Sequence, residues 1–284
     1  MFENITAGWK LGSAIRKLVF QDRKLVIYPI VSGIVILIET MALLVSFFLF
    51  AGSGLAFYAF LFLYYVIVYF TSVYVLVAML IAFKAFEKKA PISIAQAFST
   101  TAGYSVIILE WAVFEAIVTM IIRAIEQRLG AIGSLIFGLG ASIAMGIATT
   151  FAVPVILEKR TGPIATVKES TGFILHNFGK AFGGLLYTDL YSLLFIIGGI
   201  VVIVLGILAF SVSFALGGII AIVGIMLLVF GGMLSYILSN VYKLVLYDYM
   251  NDGKLPPGLS EDLVRSCIKQ NPQQSQSPPG SFVK

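Results

Sequence analysis

The sequence predicts an all-α integral membrane protein: six transmembrane helices in three hairpins, each hairpin preceded by a cytoplasmic amphipathic helix at the membrane interface. Three observations carry this reading. Hydrophobic residues make up 60% of the 284-residue chain and charged ones 12%, against roughly 45–50% and about 25% in soluble domains. Six runs reach the length of about 20 mostly apolar residues that a helix needs to cross about 30 Å of hydrocarbon. A half-polar, proline-led stretch occurs twice, as KAPISIAQAFS (89–99) and RTGPIATVKES (160–170), each time just before an apolar run.

The first unit opens with residues 1–25. Ile15, Leu18 and Val19 share one side of a helix, while Lys10, Lys17 and Lys24 recur every seven residues on another. Such a helix suits the interface, with its apolar face in the acyl boundary and its basic face on anionic headgroups. The first span, 26–50, is too long for the apolar region of a signal peptide and has no small-residue cleavage site after it, so it reads as a retained anchor. A turn at AGSG (51–54) leads to the second span, 55–83.

The second unit runs through PISIAQAF (91–98) into spans 104–124 and 131–157, with a turn around LGAIG (129–133). In the fourth span, small residues at Gly138, Ser142 and Gly146, and at Gly140, Ala144 and Ala148, predict close helix approach. Pro154 removes a backbone donor, which predicts a kink and an available Thr150 carbonyl.

The third unit repeats the second at an offset of 72 residues, with Pro163 on Pro91. Proline fits the first helical turn, where its missing N–H would have had no partner. Ile164, Val167, Ile174 or Leu175, Phe178 and Phe182 recur at three- and four-residue steps, which leaves Thr166, Lys168, Glu169, His176 and Lys180 on the wet side. Spans 185–210 and 219–246 follow, joined around SVS (211–213). Residues 1–250 thus form the membrane domain. The stretch 251–284 ends in NPQQSQSPPGSFVK, too poor in apolar residues to fold alone, and reads as a largely disordered cytoplasmic tail. A short helix at 260–269 would rest Leu263, Val264 and Ile268 on the membrane or the bundle.

Seventeen of the 19 Lys and Arg residues fall in segments on one side of this topology, and only Arg123 and Arg128 fall in the other connections. The positive-inside bias then puts both termini in the cytoplasm of a multi-pass cell-membrane protein. The net charge of +5 is explained by topology, so no nucleic-acid partner is expected. Cys267 is the sole cysteine and His176 the sole histidine, which excludes an internal disulfide, a cysteine metal cage and an HExxH zinc site. Gly140-Ala-Ser142 faintly resembles an intramembrane serine-protease signature but has no base beside it. No catalytic set, metal site or cofactor is expected, and the chain is read as a non-enzyme.

Ionisable groups inside spans are costly, so they mark interior or polar positions. Glu39, Glu110, Glu115 and Asp189 qualify. Counting back equally from the AGSG turn sets Glu39 beside Tyr64 and Tyr65, within reach of a hydrogen bond. The same count about the third turn sets Glu110 near Thr149 and Thr150. Glu115, five residues on, is rotated by about 140° to a different face. Asp189 and Lys243 each lie a few residues inside a cytoplasmic helix end, which predicts an ion pair.

GWKLGSAIRKLVFQDRKLVIYPIVSG (8–33), IIRAIEQRLG (121–130) and FAVPVILEKRTGPIATVKES (151–170) together resemble a prokaryotic integral-membrane family, a domain of unknown function found in archaea and bacteria. The resemblance spans most of the chain. It implies a multi-span cell-membrane protein and brings no catalytic residues. The expected function is the organisation of lipids, through anionic headgroups, or of partner proteins at the cytoplasmic face. The alternative is a small transporter or ion- or proton-coupled permease that uses the intramembrane carboxylates, and a membrane-embedded enzyme ranks third.

Overall fold

The computed structural model describes residues 2–50, 54–129 and 131–253. Over these the chain is helical: α1 (Phe2–Val19), α2 (Ile27–Phe50), α3 (Leu55–Glu87), α4 (Ile94–Thr101), α5 (Ser105–Glu126), α6 (Ala131–Thr149), α7 (Ala152–Lys159), α8 (Pro163–Ala209) and α9 (Phe214–Asp252). Single 3-10 turns at Arg23–Val26 and Ala102–Tyr104 lead into α2 and α5. Six helical segments are long and apolar enough to cross a membrane: Arg23–Ser46, Leu55–Glu87, Ile94–Glu126, Gly133–Lys159, Phe182–Ala209 and Phe214–Asp252. This is compatible with a multi-pass membrane protein. Residues 51–53 of the first turn, Gly130 of the second, and everything from Lys254, including Cys267 and the helix expected at 260–269, lie outside the described residues.

Local sequence sets the helix starts. Pro163 occupies the first turn of α8, as expected. Its counterpart Pro91 does not do so in α4. There the N-cap is Ser93, whose hydroxyl accepts from the Gln96 amide while the Gln96 side chain accepts from the Ser93 amide, a reciprocal capping box that satisfies two otherwise unpaired donors.

The two helices following these prolines were expected to end before the spans. Instead α8 runs unbroken for 47 residues, because no second proline occurs between Pro163 and its end. The buried face of its first part agrees only in part with the expected apolar one: Ile174 is buried and Val167 packs on the core, but two hydroxyl residues share that face. Thr166 and Ser170 are fully buried, whereas Ile164 and Leu175 are 79% and 68% exposed. A hydroxyl can be buried where it finds a partner, and both do: Thr166 Oγ1 donates to the Thr161 carbonyl at 3.0 Å, and Ser170 Oγ accepts from the Phe151 amide at 3.0 Å.

In α1 the expected apolar side is the buried one, but protein covers it. Leu11, Ile15, Leu18 and Val19 are buried in the protein core against α8 rather than left to lipid. Trp9 meets Tyr187 edge-on at 4.8 Å, and the Arg16 guanidinium lies 4.5 Å from the Tyr191 ring centroid. Lys10, Lys17 and Lys24 remain exposed.

The closest seam joins α8 and α9. A Cβ on Gly206 would fall 2.6 Å from the Ala221 nitrogen, one on Gly199 2.7 Å from the Leu228 nitrogen, and one on Gly224 2.7 Å from the Ile203 nitrogen. As residue numbers fall in α8 they rise in α9, so the two helices are antiparallel. Gly199 and Gly206 in α8, and Gly217, Gly224 and Gly231 in α9, recur every seven residues, keeping one glycine stripe turned to the partner. The small residues of α6 form no backbone seam of this kind: nothing lies within 4 Å of a Cβ built on Gly140 or Gly146, and the close approach at Gly138 is to the Glu126 side chain of α5, 2.1 Å from such a Cβ.

The large buried side chains, among them Tyr28, Phe83, Phe151, Tyr242 and Tyr247, gather toward one end of the bundle. Ion pairs close that end. Lys84 of α3 bridges Glu158 of α7 and Asp248 of α9, the latter at 3.0 Å, and Lys159 pairs with Glu169, which also accepts from Tyr247 Oη at 2.9 Å.

Candidate functional site

The fourth span is broken. Helix α6 stops at Thr149 and α7 begins at Ala152, with the Thr150 amide reaching back to the Ile147 carbonyl at 3.3 Å and the Val155 amide to the Phe151 carbonyl at 3.0 Å. Pro154 has no amide to offer the Thr150 carbonyl, which is the donor loss expected of it. A broken helix at membrane depth is tolerated where it is covered by protein or lines a cavity, and here it lines one.

Two adjacent cavities meet at this break. One, of about 380 Å³, is lined by Tyr69, Glu115, Thr119, Ile122, Arg123, Glu126, Ser142, Met145, Gly146 and Thr149. The other, of about 220 Å³, is lined by Tyr69, Val73, Trp111, Glu115, Thr149, Thr150, Ala152, Val153, Pro154, Asn240 and Lys243. They share Tyr69, Glu115 and Thr149, so Glu115 faces both. Tyr69 is held by Thr119, with 2.8 Å between the hydroxyls, and by stacking on Tyr65 at 6.3 Å. Tyr65 in turn lies 5.8 Å from the Arg123 guanidinium.

The structure rearranges the partnerships expected from helix counting. Glu39 does not meet Tyr64 or Tyr65. Its Oε1 accepts from Thr71 Oγ1 at 2.9 Å, nearly two turns further along α3, and its buried Oε2 has no hydrogen-bond partner. Equal counting from a turn assumes helices that leave it without slipping past each other. Glu110 does not reach Thr149 or Thr150 either. It is exposed beside Gly162, while Glu115 shares a cavity wall with those threonines. The count assumed an unbroken fourth helix, and the break at Thr150 shifts its level. The threonine hydroxyls themselves donate to the Met145 and Gly146 carbonyls, at 2.9 and 2.6 Å.

Asp189 and Lys243 interact electrostatically, as the expected pair would, but not at direct ion-pair distance. Asp189 accepts from Ser239 Oγ at 3.0 Å and Ser235 Oγ at 3.5 Å, and Lys243, about one turn beyond Ser239, also lines the smaller cavity, as Glu115 does. Among the described residues Glu115 makes no hydrogen bond or ion pair, while the charge that acts on Lys243 is that of Asp189. Asn240, Trp111, Arg123 and Glu126 complete the site without having been singled out from sequence. An Asn and a Lys three residues apart share a helix face, and that spacing is the one sequence signal that could have recruited Asn240.

The sequence pattern of a family of unknown function, DUF6159, matches residues 55–256. The match includes every cavity residue, the α6–α7 break and the α8–α9 seam, and excludes α1 and α2. It also excludes the 8–33 stretch on which part of the resemblance was read. No curated protein and no solved structure matches the chain.

Proposed function

The chain belongs to this family of unknown function, and since the matched region holds the whole of the polar cavity, we propose that it is a membrane carrier for a small polar solute, with Glu115 as its coupling carboxylate. One observation carries the proposal: a broken helix and two oppositely chargeable side chains, Glu115 and Lys243, line adjoining open clefts between the helices. Ionisable groups at such depth, and discontinuous helices around them, are features of transport sites. Arg123, Glu126 and Thr119 extend the polar lining from Glu115 toward the α5–α6 end of the bundle. The ion pairs of Lys84, Glu158 and Asp248 lie beyond Lys243 at the other end. The carrier acts without bond chemistry, so it is not an enzyme.

The remaining features fit a cell-membrane protein built of three hairpins, with both termini and residues 251–284 in the cytoplasm and the α1 and α8 starts at the inner interface. The basic asymmetry supports that orientation. Exposed Lys10, Lys17 and Lys24, beside exposed Trp9 and Phe20, suit contact with anionic headgroups.

The test is flux. Purified protein in sealed vesicles should take up a polar solute under a proton gradient, and Glu115→Gln should cut that uptake at least tenfold while leaving thermal stability within a few degrees. Wild-type vesicles that move no solute from a broad panel would defeat the carrier reading.

A further inference from the structure

A third cavity lies apart from the clefts of the fourth span, and from it we infer a binding site for the phosphodiester group of one anionic phospholipid. The space, of about 200 Å³, forms where the Arg23–Val26 turn and the start of α2 meet the last turn of α3 and the start of α4. Phe86, Pro91, Ile92 and Ile94 give it apolar walls, and its polar residues are Asp22, Lys24 and Tyr28. Tyr28 carries the inference. It is 1% exposed, its ring lies 5.8 Å from that of Phe98, and among the described residues its hydroxyl makes no hydrogen bond. Buried polar groups seldom go without one. The charge of Asp22, another wall residue, acts on Tyr28, so the unmet hydroxyl belongs to the polar side of the cavity and has a donor to offer there.

The surroundings set the sign of the ligand. Lys24 is exposed, as are Arg23 before it and Lys89, two residues ahead of Pro91 on a left-handed backbone with φ of 58°. Among the described residues none of these three cations makes an ion pair. Against them stands one carboxylate, Asp22, whose Oδ1 already accepts from the Lys24 amide at 3.1 Å. A group of single negative charge gains from the cations and accepts from Tyr28, whereas a second charge would be repelled by Asp22. That favours a phosphodiester over a phosphate monoester, which carries about 1.5 to 2 charges near neutral pH.

The apolar walls and the position make the source a lipid. All the wall residues lie at or near helix ends, at the level where headgroups meet the bundle, and on the orientation proposed above this is the inner leaflet. Val26, Ile27, Ile30 and Ile34, between 37% and 53% exposed, recur along one side of α2 and give acyl chains a track leading away. The volume is below the 300–1,000 Å³ typical of drug-sized pockets, so the phosphodiester enters and the chains stay outside.

The test counts lipids and needs no flux. Delipidated full-length protein in detergent is titrated with phosphatidylglycerol and with phosphatidylcholine of the same chains, and bound lipids are counted by native mass spectrometry. Inorganic phosphate and glycerol 3-phosphate are titrated in parallel against the melting temperature. One phosphatidylglycerol should bind at least tenfold tighter than phosphatidylcholine, while the two soluble phosphates give no saturable shift up to 10 mM. Tyr28→Phe, which keeps the ring beside Phe98, and Lys24→Gln should each weaken that binding at least fivefold, with the lipid-free melting temperature of both within a few degrees of wild type. Lys10→Gln with Lys17→Gln, on the exposed face of α1, should leave it unchanged. An equal loss from the α1 pair would reduce the binding to diffuse attraction and overturn the site. Binding indifferent to Tyr28→Phe, equal affinity for phosphatidylcholine, or saturable binding of a soluble phosphate would overturn it as well.

Discussion

Single side chains here are explained by partners far away in sequence. The buried Ser170 hydroxyl exists for the Phe151 amide, the donor left over where α6 gives way to α7. Removing the acceptor strands a buried N–H, which costs about 1–3 kcal/mol. Ser170→Ala should therefore lower the denaturation midpoint, whereas Ser211→Ala, whose exposed hydroxyl caps only its own turn, should leave it unchanged within error. Glu115 and Lys243 were legible as sites because an ionisable residue in an apolar run stands out. Their relation to each other was not legible. In a helix apolar on every side, periodicity does not fix rotation, so the sequence did not show that Lys243, placed with Asp189, also lines the cleft that Glu115 lines.

Helix extents and the fourth-span break were largely readable from apolar length and from Pro154. Packing was not. The α6 stripe of small residues drew attention because it follows the four-residue rule, while the true seam between α8 and α9 uses a seven-residue glycine step. That seam gives a prediction of opposite signs. Gly206→Ala would force a methyl group against the α9 backbone, and overpacking of this kind costs about 1–3 kcal/mol. Gly218→Ala meets open space and removes a helix-weakening residue, worth roughly 0.5–1 kcal/mol in favour of folding. Thermal melts of the two variants should move apart. The break between α6 and α7 predicts a trade of stability for activity: Pro154→Ala supplies the missing amide to Thr150 and should raise the melting temperature while reducing solute uptake, because the cavity wall is drawn back into a regular helix. A melting temperature that stays put or falls would show that proline is not what holds the helix open.

For the molecule as a whole, the buried core sits at the end where the ion pairs are, and the far halves of α2, α8 and α9 present apolar surface such as Leu37, Ile38, Leu208 and Ile219 outward, as segments facing lipid must. The positive-inside argument predicts which end faces which compartment. In a Cys267→Ser background, cysteines at Ser211 and Gly54 should react with an impermeant reagent added outside intact cells, and those at Ser93 and Lys168 only after permeabilisation; the opposite pattern would invert the protein. Orientation was read from composition because charge bias is a sum over segments and does not depend on contacts, whereas the core location depends on which helix turns meet and could not be read that way. The unbroken α8 has a mechanical meaning at this scale. At 1.5 Å per residue its 47 residues make a rod of about 70 Å, against the roughly 40–45 Å of a whole bilayer. It is therefore longer than the bilayer is thick, and its first turns are held against α7 and α9 through Ser170 and Glu169, with α1 packed on it near Tyr187. A tilt of about 10° would swing the end of such a rod through about 12 Å, so a shift of α7 against Ser170 and a shift of the glycine seam are two ends of one lever.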